Sequence, residues 1–79
     1  MLNNVKPKEV IKILTKLGFE DVRANGSHHR FVHIDGRKTS IPIHGSEPIG
    51  VGLLNKILKK DIGLSKEDFE KLLNELFVL

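Results

Sequence analysis

Residues 25–44 read NGSHHRFVHIDGRKTSIPIH, and this stretch decides the fold. Gly26-Ser27 interrupts the chain ahead of HRFVHI, and Asp35-Gly36 interrupts it again ahead of RKTSIPI. A tight hairpin turn needs positive φ, which Asp tolerates and Gly adopts freely, so Asp35-Gly36 predicts that the chain doubles back. Pro42 has no N–H to give to a ladder and should end the returning strand. Upstream, Phe19 and Val22 anchor FEDVRA as a strand entering the Asn25-Gly26-Ser27 break. Three antiparallel strands are expected.

Working outward, PKEVIKILTKL (residues 7–17) sets Val10, Ile11, Leu14 and Leu17 on one helical stripe. Pro7 is tolerated in a first turn, and Gly18 supplies a left-handed stop. Beyond the strands, GSEPIGVG (45–52) is a glycine-rich loop. LLNKILKK then restarts helical periodicity through Leu53, Leu54, Ile57 and Leu58, closed by Gly63. Ser65 with Asp68 three residues on reads as a variant capping box for a last helix bearing Phe69, Leu72, Leu73 and Leu76. The order αβββα(α) gives an α+β fold in which helices cover one face of a three-stranded sheet and the other stays partly open. At 79 residues the chain should form a single domain, 1–79, with 64–79 as an extra C-terminal helix.

Composition narrows the function classes. There is no cysteine, hence no disulfide framework and no thiolate metal site. No apolar run approaches the ~20 residues of a membrane span, and the start MLNNVKPKEV lacks the order of a signal peptide, so a soluble cytoplasmic protein is expected. Eleven of the thirteen Lys and Arg residues lie between Lys6 and Lys60, together with five of the ten acids. A basic body before an acidic tail favours a polyanionic partner such as nucleic acid.

Three of the four histidines fall within residues 25–37. Histidine alone both takes and gives a proton near neutral pH. His28 follows a turn, where an imidazole projects from a defined backbone position, and hairpin pairing brings the His44 region beside it. His29 and His33 share the opposite strand face with Phe31 and are read as structural; this divergence argues against a zinc site. Arg23, Arg30, Arg37 and Lys38 form a cationic sheet suited to phosphates. Together these residues suggest metal-independent cleavage of RNA: one group removes the 2′-hydroxyl proton, another protonates the leaving oxygen, and cations stabilise the charged phosphorane. DNA lacks that nucleophile. A non-catalytic double-stranded-RNA-binding module and a small protein-interaction domain are the competing readings.

The ordered series Gly18-Phe19, Gly26-Ser27-His28, Asp35-Gly36-Arg37, Pro42-x-His44, LLNKIL and GLS resembles the HicA toxin family, across nearly the whole chain. The resemblance implies a double-stranded-RNA-binding-domain-like fold and an mRNA interferase without cofactor, neutralised by a HicB-type antitoxin. The family's catalytic histidine falls on His28; Gly26 and Ser27 match the rest of that motif, Ser27 expected to assist catalysis by position and Gly26 to join the RNA-binding set, and His44 matches the family's second recurrent histidine and is a further catalytic candidate. At Val51-Gly52-Leu53 the chain departs from the pattern, where a cation and a hydroxyl are common.

Overall fold

The computed structural model describes residues 4–45 and 47–77, with residues 23–25 and 77 described by backbone alone. Helix α1 (Pro7–Lys16) is followed by strands β1 (Glu20–Asn25), β2 (His28–Val32) and β3 (Lys38–Pro42). Helix α2 (Val51–Lys56) runs on into a π-helical segment, Ile57–Ile62, and α3 spans Lys66–Phe77. The sheet is antiparallel in the order β1-β2-β3. The α+β, αβββα(α) reading therefore holds.

Alternation along β2 and β3 sorts the two faces. Phe31 and Ile41 are fully buried, and Thr39, opposite Phe31, is buried with them. Val10, Ile13 and Leu14 of α1, Leu54, Ile57, Leu58 and Ile62 of the second helical stretch, and Phe69 of α3 close over this face. The α1 stripe is thus centred on Ile13 and Leu14, with Ile11 and Leu17 only partly buried at its margin. His28, Arg30, Lys38 and Ser40 occupy the other face and are exposed. Helix α3 packs on the domain: Phe69 is fully buried and Leu72, Leu73 and Leu76 are partly so. Ser65 caps its first turn, the Asp68 N–H donating to Ser65 Oγ at 3.1 Å, but among the described residues no bond returns from the Asp68 side chain, so the cap is single and not the expected box.

Three local expectations are corrected. Val22 is not an anchor of β1 but half exposed, because the β1–β2 register steps from Asp21↔Phe31 to Arg23↔Arg30 and leaves Val22 as the extra residue of a bulge. The Asp35-Gly36 turn is longer than a two-residue hairpin. The Gly36 N–H donates to the His33 carbonyl and the His33 N–H to the Arg37 carbonyl, and only Gly36 (φ +100°) adopts positive φ. Asp35 instead uses its side chain, accepting the Arg37 N–H at 3.0 Å. The third correction concerns the second helix, which begins at Val51 and widens after Lys56 before Gly63 (φ +76°) ends it, the Leu64 N–H reaching the Leu58 carbonyl.

Candidate functional site

Gly26 and Ser27 join β1 to β2 as a two-residue turn, since Asn25 pairs with His28. Gly26 takes φ +63° and Ser27 a negative φ, the combination of a type II′ turn, whose first position favours glycine. His28 is thereby fixed as the first residue of β2. It stands opposite Pro42, and the adjoining ladder bond runs from the Ile43 N–H to the Ser27 carbonyl at 2.6 Å. The His28/Pro42 pair is therefore of the close, non-hydrogen-bonded kind, in which proline's missing N–H costs nothing and the side chains approach. Two residues on, the His44 ring lies 6.5 Å from that of His28, edge to face at 86°. Both are exposed.

Beside them runs a cleft of about 350 Å³. One wall is the open sheet face, His28, Arg30, Lys38, Ser40 and Pro42; the other is Leu53, Lys56 and Asp61 from the second helical stretch. Three cations thus face one carboxylate, which suits an anionic ligand. Among the described residues, neither the Arg30 nor the Lys38 side chain makes a hydrogen bond or ion pair with the protein. Asp61 is engaged: it accepts the Thr39 hydroxyl at 2.9 Å and lies 3.5 Å from Lys56 Nζ. Among the described residues no three His, Asp or Glu side chains converge as a metal site would require.

The structure separates the expected site residues. His28, Arg30 and Lys38 line the cleft, Gly26 and Ser27 shape the turn behind His28, and His44 adjoins it. Arg37 does not reach it. Its Nε donates to Asp35 Oδ2 at 2.8 Å, its Nη1 to the Ile62 carbonyl, and its guanidinium lies over the Phe19 ring at 5.2 Å. The backbone register pairs Arg23 with Arg30, but the Arg23 side chain lies outside the described residues.

The histidines read as structural are anchored elsewhere. His29 Nδ1 hydrogen-bonds Asp21 Oδ2 at 3.0 Å. His33 Nε2 donates to the Leu17 carbonyl at 3.1 Å and its ring packs 5.0 Å from that of Phe19. Sequence reasoning missed Lys56 and Asp61, and it set Leu53 on the apolar stripe of the second helix, where the structure instead exposes it in the cleft wall. The polar face of LLNKILKK carries three lysines, and nothing in their spacing ranks the one that faces β3.

A family model described as the HicA toxin of bacterial toxin–antitoxin systems matches residues 7–64. No curated protein matches the chain. The matched span runs from the first residue of α1 through the sheet and both walls of the cleft to the end of the second helical stretch. Covering well over half of the 79 residues, the match places this chain in the HicA family, toxins of bacterial toxin–antitoxin pairs that act opposite a cognate antitoxin.

Proposed function

We propose that this toxin is a metal-independent endoribonuclease acting on mRNA in the cytoplasm, with His28 as a proton-transfer group. The observation that carries the proposal is the placement of His28 at the rim of a cleft with three cations, its ring 6.5 Å from a second imidazole. One of the two imidazoles takes the 2′-hydroxyl proton. The 2′ oxygen then attacks the adjacent phosphorus, the P–O5′ bond breaks, and the other imidazole protonates the departing 5′ oxygen. The products are a 2′,3′-cyclic phosphate and a 5′-hydroxyl. Arg30 and Lys38 offset the charge that builds on the phosphorane, and such fixed cations are worth most where water is partly excluded. Gly26 and Ser27 contribute through the turn that fixes His28. A HicB-type antitoxin with an acidic surface would inhibit by covering this cationic cleft, with charge speeding the encounter.

The test is cleavage of a defined transcript in excess EDTA by wild type and His28→Ala purified identically. Wild type is expected to leave cyclic-phosphate or 3′-phosphate ends, and His28→Ala to leave the RNA intact. Equal cleavage by both proteins, or activity that EDTA abolishes, refutes the proposal.

A further inference from the structure

Lys56 and Asp61 are five residues apart. On a regular α-helix, at ~100° per residue, such a pair is separated by about 140° and points to different sides. Here the segment after Lys56 is π-helical, and i→i+5 hydrogen bonding stacks residues five apart on one face. The wide turn is what puts the Asp61 carboxylate 3.5 Å from Lys56 Nζ, on the wall of the cleft opposite His28. Asp61 is itself held from the sheet, since Thr39, buried on edge strand β3, donates its hydroxyl to the same carboxylate oxygen. A lysine on a flexible stem is thereby restrained by a carboxylate that a buried hydroxyl fixes in turn, while its side chain remains 59% exposed to solvent and ligand.

We infer that Lys56 is a further phosphate-contacting residue of the cleft, and that Asp61, braced by Thr39, is the residue that positions it. The inference rests on the RNA-binding part of the reading above, and not on cleavage. Arg30 and Lys38 meet the RNA backbone from the sheet; Lys56 meets it from the helical wall, so the strand is gripped from two sides.

The salt dependence of binding a short single-stranded RNA decides the matter, measured in the His28→Ala background so that no cleavage intervenes. Lys56→Ala is expected to weaken binding and make the plot of log K against log salt shallower by about 0.7, the share of one phosphate contact on a single strand. Asp61→Asn keeps an acceptor for Thr39 but releases Lys56. It is expected to flatten the slope as well, and to add nothing further in combination with Lys56→Ala. An unchanged slope for Lys56→Ala overturns the phosphate assignment. Tighter binding with a steeper slope for Asp61→Asn overturns the positioning role, because a carboxylate acting only as a repelling charge would give that result. If the parent protein binds no RNA, this inference falls together with the RNA reading. If it binds RNA but wild type never cleaves, only the nuclease proposal falls, and the slopes still judge Lys56.

Discussion

The two ends of the β2–β3 hairpin carry similar side chains and use them in opposite ways. At the turn end, His33 reaches the Leu17 carbonyl and packs on the Phe19 ring, Arg37 reaches the Ile62 carbonyl and lies over the same ring, and Asp35 holds Arg37 in place. At the open end, His28 and His44 are exposed, and on the same sheet face so are Arg30 in mid-strand and Lys38 beside the turn, whose side chains have no protein partner among the described residues. The turn closes the fold, and the open face leaves its donors and charges for a ligand. Residue type does not tell a structural histidine or arginine from one free for chemistry; what tells them apart is how many of their polar atoms the protein already satisfies.

Substitutions at the two ends should therefore separate activity from stability. The largest effect is expected for His28→Ala, a loss of about 10²–10⁴ in cleavage rate with the urea midpoint unchanged, the range usual for a proton-transfer group. A destabilised His28→Ala protein would contradict the division. At the other end, Gly18→Ala should cost about 1–3 kcal/mol in urea unfolding. Gly18 sits at φ +99°, and an added Cβ would come within 3.1 Å of His33 Nε2, so strain and a displaced ring combine. Its cleavage rate, measured on folded protein, should match wild type.

Arg37→Ala should follow at about 1–2 kcal/mol, since its bonds lie at a partly exposed site, and should leave the salt slope of RNA binding as it was. A flattened slope would return Arg37 to the RNA-binding set. The smallest effect concerns pH. The Arg37 backbone N–H donated to Asp35 holds its carboxyl below the ordinary value of 3.8, opposed by desolvation and helped by the guanidinium. A depressed carboxyl stabilises the fold above its unfolded pKa, and that contribution fades as pH falls through the folded value. Asp35→Asn should accordingly be the less stable protein near neutrality, with the gap in urea midpoint closing on acidification below pH of about 4.

Much of the scaffold was legible because its signals are local. Gly26-Ser27, Pro42 and Ser65 each act on their own few residues, and the stripe of α1 needs no distant partner to be recognised. The His28–His44 proximity also followed, since strand pairing from a nearby turn is a matter of counting. What escaped depends on contacts far along the chain. The bulge at Val22 reflects which cross-strand pairs prevail, and the π-helical turn leaves Leu58 and Ile62 at a spacing that an ordinary helix would share. Lys56 and Asp61 gain meaning only from Thr39, 22 residues before Asp61. Charge and a place on the hairpin group Arg37 with the RNA-binding cations, and the Ile62 carbonyl that engages it is 25 residues away.

The wide turn at Ile57–Ile62 also bears on how this chain can change by insertion and deletion. A π-helical turn holds one more residue per hydrogen-bonded loop than an α-helical one, so the segment works as a store of one spare residue. Loss of a single codon there could be absorbed by reverting to regular helix, with Phe31 and Ile41 still covered. The Lys56–Asp61 pairing would be lost in the same step. This is a point in the chain where a length change would spare the core and fall on the cleft.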